Sequence, residues 1–183
     1  MNLTKIKILI KEELKTYFKD NDYSLKDELI MENEILIGEL LDPENSYQYE
    51  GEKGFYTYKD SNGITFFVRL TYLPEPHNYF EFKTGWVDKN NKPQYEPISP
   101  PNSAKSSVLY IFKRSDTVAK IWRDEILPFF EKQNISNTLV IKPISSSRMK
   151  FAERLVKKFT PVEKFNIEYG SPLIITKNEK IRT

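Results

Sequence analysis

The residue types that carry most covalent chemistry are scarce in this chain. It has no cysteine and one histidine, His77, in a turn beside Pro74 and Pro76. Without thiols there are no disulfides, thiolate zinc sites or iron–sulfur clusters, which fits a reducing compartment or a secreted protein without bridges. A lone histidine cannot build a zinc triad, and no G-x-S-x-G elbow offers it a serine nucleophile. The six glycines form neither G-x-G-x-x-G nor G-x-x-x-x-G-K, so no phosphate loop is predicted. The acids Asp27, Glu28, Glu32, Glu34 and Glu39 read as a solvated helix face, and no pair of carboxylates stands out as catalytic. No metal is expected.

What remains is a basic corner. On a helical wheel, residues 147–159 gather Met149, Phe151, Ala152, Leu155, Val156 and Phe159 into one apolar arc. Lys150, Arg154, Lys157 and Lys158 fall opposite. Arg148 lies inside the apolar arc, beside a start made of Ser145, Ser146 and Ser147. Helix N-terminus, hydroxyls and guanidinium together suit a phosphate or carboxylate. The plainer reading has Ser145 or Ser146 capping the helix while Arg148 snorkels or meets an acid. Lys113 and Arg114 form a second basic pair. The outer arc, with Lys142, Lys177, Lys180 and Arg182, is a footprint that nucleic acid can use, but a net charge of +2 and the lack of any nucleic-acid motif favour a solvated face.

These groups need elements to position them. Ile6, Ile10, Leu14 and Phe18 recur every four residues after Thr4 and predict a helix. Ser24 opens a second, with Asp27 and Glu28 at its positive end, and it ends by Asp42-Pro43-Glu44-Asn45. Strands follow at Phe55–Lys59, Ile64–Tyr72 and Tyr79–Val87, the first two joined by Asp60-Ser61-Asn62-Gly63. Residues 88–106, with Pro93, Pro97, Pro100 and Pro101, read as a long loop that is either a binding element or a surface excursion. Val108–Phe112 reads as a short strand. Ser115 then caps a helix buried through Val118, Ile121, Trp122, Ile126, Phe129 and Phe130, with Pro128 disturbing it near Asp124. Thr138–Lys142 reads as a buried strand, Ser145–Phe159 as a helix, and Phe165–Tyr169 with Leu173–Thr176 as a closing hairpin.

Composition sets the frame. A chain of 183 residues with 39% apolar and 30% charged residues folds rather than staying disordered, and no linker or repeat divides it. Residues 1–53 carry seven lysines against thirteen acids, whereas the rest carry 21 Lys and Arg against 13. That split predicts an acidic and a basic face, or ordinary solvated surface. The apolar run Ile8–Ile10 is too short for a signal or a membrane span, so a soluble, unexported protein is expected.

Two helices, three antiparallel strands and a fourth, then helix, strand, helix and two strands, is an order that resembles the GNAT family of N-acetyltransferases. The resemblance implies one α+β domain over residues 1–183, a mixed, mostly antiparallel sheet flanked by about four helices. It also implies an R/Q-x-x-G-x-G/A turn for acetyl-CoA between the fourth strand and the next helix. Lys113-Arg114-Ser115-Asp116-Thr117-Val118-Ala119 stands there, without glycine and with Asp116 where phosphates would lie. The family's frequent tyrosine acid is missing between Ser145 and Phe159, and Lys158 replaces the glycine after it. The stretch from Val118 to Phe159 is also similar to short phage-encoded proteins. The expectation is therefore a non-catalytic domain without cofactor that works by contact with a protein, as a phage accessory or virion component, cytoplasmic in a host or assembled in a virion. The alternative is a divergent acyl-CoA-dependent N-acyltransferase holding its cofactor with Lys113, Arg114, Ser146, Ser147 and Arg148. A further alternative is a nucleic-acid-binding accessory protein using the basic arc.

Overall fold

A computed structural model of the chain describes residues 41–88, 90, 92–95, 108–142 and 146–178. The two helices expected before residue 41 lie outside those residues, as does most of the Pro-rich stretch. The described part is α+β: eight strands in one mixed, mostly antiparallel sheet, and two helices.

The strands are β1 (Tyr49–Glu52), β2 (Phe55–Lys59), β3 (Thr65–Leu73), β4 (Tyr79–Val87), β5 (Pro93–Tyr95), β6 (Thr138–Ile141), β7 (Phe165–Glu168) and β8 (Leu173–Lys177). They stand in the order β1-β2-β3-β4-β6-β8-β7, with β5 also on β4. Only β4 and β6 run parallel; the other pairs are antiparallel. A parallel pair needs a long crossover, and helix α1 (Val108–Lys132) lies within it, with helix α2 (Ser146–Phe159) following β6. The β2–β3 turn forms as its residues predict. Asp60 Oδ1 accepts from the amides of Asn62 (2.8 Å) and Ile64 (2.9 Å), and Gly63 takes φ +76°.

Period-two alternation puts one apolar row on one face: Tyr58, Phe66, Val68, Phe82, Ile141 and Leu173 are all buried there. Both helices cover this face, since Phe82 meets the Trp122 ring of α1 at 5.0 Å and joins Leu155 of α2 in one core. Each such fully buried side chain contributes about 1.5–3 kcal/mol.

Helix α1 begins as Val108–Ile121, passes through a π-helical segment Trp122–Ile126 and ends as Leu127–Lys132. Two expectations change here. Val108–Phe112 is helical, not a strand, because its β-branched and aromatic residues sit in the first turns of a helix whose later residues are buried. Ser115 is consequently well inside α1, not a cap. Pro128 has no N–H to return to Asp124, and the helix answers with a π turn in which the Leu127 N–H reaches Trp122 O. Glu125, carried on that turn, accepts from the Tyr49 hydroxyl at 3.0 Å.

The middle of the Val108–Ile121 segment is held by buried polar groups. Asp116 accepts from the Asp42 amide (2.8 Å) and from Asn45 Nδ2 (3.0 Å), and Thr117 Oγ1 accepts from the Tyr47 amide (2.8 Å). These bonds fasten the 3-10 turn Pro43–Asn45 and the approach to β1 onto the helix. Helix α2 (Ser146–Phe159) buries Ala152, Leu155 and Val156 from its apolar arc, as its periodicity predicts. The closing hairpin pairs Phe165 with Lys177 and Glu168 with Ile174.

Candidate functional site

The edge of β4 that faces away from β3 is shared by two short strands. β6 pairs with it from Phe80 to Phe82, and β5 from Gly85 to Val87. Lys83 and Thr84 fall between them, paired with neither. β6 is only four residues long, and Pro143, two residues beyond it, has no N–H to extend the ladder. β5 can close in because residue 85 is glycine. A Cβ there would lie 2.3 Å from Gln94 O and 2.5 Å from Phe67 Cζ. Asp88 fixes the connecting turn, accepting from the amides of Asn90 (2.8 Å) and Lys92 (2.9 Å) and from Gln94 Nε2 (3.0 Å). The Lys92 amide above all, with those of its neighbours, holds the Asp88 carboxyl below its usual range.

At this parting of the sheet lies a cavity of about 430 Å³, within the range of small-molecule sites. Phe82, Val118, Ile141, Phe151, Ala152 and Leu155 give it apolar walls. Its charged groups come from four elements, Arg114 on α1, Arg148 on α2, Lys142 after β6 and Lys83 on β4, and Tyr58, Thr84, Tyr95 and Ser115 also line it. Arg148, Phe151, Ala152 and Leu155 fall at i, i+3, i+4 and i+7, one side of α2. The Arg114 guanidinium lies 3.8 Å over the Phe66 ring, a stacking that orients a planar cation at little entropic cost. Among the described residues that line the cavity, four are cations and none is an acid.

Behind the two lysines sits Glu81, its side chain 8% exposed, 2.6 Å from Lys83 Nζ and 3.4 Å from Lys142 Nζ. Lys142 also donates to the Tyr79 hydroxyl. That hydrogen bond, then the Glu81 charge, raises the Lys142 ammonium above its ordinary range, so it stays protonated at neutral pH.

The sequence-predicted residues separate clearly. Arg114 and Arg148, 34 positions apart, meet in one cavity. Lys113 is not among its lining residues: its Nζ lies 4.7 Å over the Tyr47 ring. Ser146 and Ser147 form the first turn of α2. Lys150, Lys157 and Lys158 are exposed and Arg154 is half-buried, but Lys158 Nζ is committed to Leu41 O at 2.7 Å. Lys142 lines the cavity instead of extending the basic arc. Lys177 is drawn inward, donating to Gln133 O, and burial lowers its pKa. Lys180 and Arg182 lie outside the described residues. Because 108–121 is helix throughout, Lys113–Ala119 is not a turn, and Asp116 points at the Asp42 amide and Asn45. Asp116 is not among the residues that line the cavity. Lys83, Tyr95 and Thr84 were missed from sequence. Their only signal is place on a strand, and the parting that exposes them depends on where β6 stops.

No group of three or more His, Asp or Glu among the described residues is placed to hold a metal ion, and no described helix is long and apolar enough to cross a membrane. Compared with models of protein families, with curated proteins and with solved structures, the chain matches none.

Proposed function

We propose that the cavity where β6 and β5 part along β4 binds an acyl-CoA-type ligand, an apolar arm with a phosphate-bearing end, and that the chain is a divergent N-acyltransferase of GNAT-like fold. One observation carries this reading: Arg114 and Arg148, from different helices, line the same cavity, together with the apolar side chains of Phe82, Val118, Ile141, Phe151 and Leu155. Guanidinium groups suit phosphate oxygens through forked, charge-assisted hydrogen bonds, and the apolar walls suit the acyl end. The element order adds support, since β1–β4 form an antiparallel run, followed by the short β5 and then by α1, β6, α2 and the β7–β8 hairpin.

The test is calorimetric titration of the full chain with acetyl-CoA and with CoA. Micromolar binding is expected, and Arg114→Ala or Arg148→Ala each weakens it by about 10- to 100-fold, the range for a lost hydrogen bond to a charged group. No heat from either ligand ends this reading. The other reading, a non-catalytic domain that works by contact with a protein in the manner of a phage accessory or virion component, rests on α2. Residues Ser146–Phe159 include no tyrosine to serve as general acid.

A further inference from the structure

The cavity takes residues from both faces of β4. Phe82 and Thr84 face the helices, whereas Lys83 and Gly85, one residue out of phase, face the other side, where the Tyr95 ring packs edge-on against Phe67. On that second side two ammonium groups share one carboxylate. Lys83 and Lys142 both reach the buried Glu81, and each lies over a tyrosine ring: Lys83 over Tyr95 at 5.6 Å and Lys142 over Tyr79 at 4.8 Å. Carboxylate and rings hold both cations at the mouth, and the trio keeps one net positive charge.

We propose that this mouth is a second, anion-specific site, and that the molecule meeting the acyl ligand in the cavity is an amine that also carries a carboxylate or phosphate. A polyamine or a basic peptide would meet two like charges there. The anion site stands on the geometry of Glu81, Lys83 and Lys142; its role as acceptor site rests on the acyl-CoA reading above.

The experiment uses the full-length Arg114→Gln/Arg148→Gln protein, so that anion binding through the arginines is removed. It is titrated with inorganic phosphate, succinate and spermidine. Binding of phosphate or succinate is expected, and which of the two binds names the anion the natural partner carries; spermidine binding in their place overturns the proposal. Adding Lys83→Gln/Lys142→Gln should weaken anion binding by about fivefold, as expected for exposed ion pairs. Glu81→Gln should tighten it, because both ammonium groups survive and their shared counter-charge is gone. A merely structural role would move both variants in the same direction, and that result, or no anion binding at all, overturns the proposal. CoA calorimetry on the unaltered protein fails or succeeds separately, so loss of the acyl-CoA reading is not mistaken for loss of this one.

Discussion

Helices α1 and α2 each deliver one arginine to the cavity, but they are held in place by different physics. The α1 segment carries two polar side chains, Asp116 and Thr117, that are 0% exposed and bonded to the backbone of residues 42–47. Among the described side chains of α2, the buried ones are apolar: Ala152, Leu155 and Val156. An apolar arc tolerates small slides and rotations, because dispersion and burial are non-directional. A buried carboxylate does not, since its donors must lie within a few tenths of an ångström of ideal geometry or be left unsatisfied. α1 is thus a locked element and α2 a seated one. Arg114, two residues from Asp116, inherits the lock.

The lock is where a substitution should cost most. Asp116→Ala leaves the Asp42 amide and the Asn45 amide group without their acceptor. A loss of about 3 kcal/mol is expected, at the upper end for hydrogen bonds to a charged partner. In a domain of this size that lowers Tm by about 6–12 °C. Asp116→Asn, which keeps one acceptor oxygen, should lose visibly less. Urea unfolding of both variants is the check. A cost below about 1 kcal/mol for the alanine variant would break the comparison, because α1 would then be seated like its neighbour.

A buried polar bond ties α1 to the residue that follows α2. Trp122, fully buried on the π turn, donates from Nε1 to Thr160 Oγ1 at 3.2 Å, immediately beyond the end of α2. Thr160→Val preserves shape and removes only the acceptor, leaving a buried indole N–H unsatisfied at a cost of about 2 kcal/mol. The shift in urea midpoint should therefore fall between that of Asp116→Ala and that of any exposed substitution on α2. An effect as large as Asp116→Ala would show that α2 depends on this bond as much as α1 depends on its own.

The same contrast explains what could be read from sequence. α2 was legible because the three- and four-residue periodicity of its apolar arc is local; even Arg148, set inside that arc, is visible on the wheel and lines the cavity. The strands from Phe55 to Val87 and the closing hairpin were legible because alternation and turn residues act locally. α1 was not. Val108-Leu109-Tyr110-Ile111-Phe112 is rich in β-branched and aromatic residues, and the helical stripe becomes regular only from Val118. The misplaced helix start then misplaced the expected cofactor turn and gave Asp116 the wrong partner. β1 and β5 were missed because Tyr49–Glu52 is largely exposed and Pro93–Tyr95 has three residues, too few for alternation to register. Half of the candidate site escaped for a related reason. Lys83 and Lys142 are ordinary strand and strand-end lysines until β6 stops opposite Phe82, and that is a long-range fact.

The outer face of α2 should be the least costly place to change. Lys150 and Lys157 are exposed on the side away from the core, and no apolar seat depends on them. The pair Lys150→Ala/Lys157→Ala should shift stability by less than about 0.5 kcal/mol, the usual range for surface substitutions. It should also leave CoA binding unchanged, since neither residue lines the cavity. This variant tests the nucleic-acid reading as well. If the basic arc bound DNA or RNA, the unaltered protein would retard either in a gel at low salt, with an affinity falling steeply as salt rises, and the double variant would lose it. No retardation is expected, because Lys158 is drawn back to Leu41 O and Lys177 to Gln133 O. Retardation that the double variant abolishes would reverse the order of importance within α2. Its outer face would then be the working surface, and the apolar arc that seats Arg148 would serve mainly to present it.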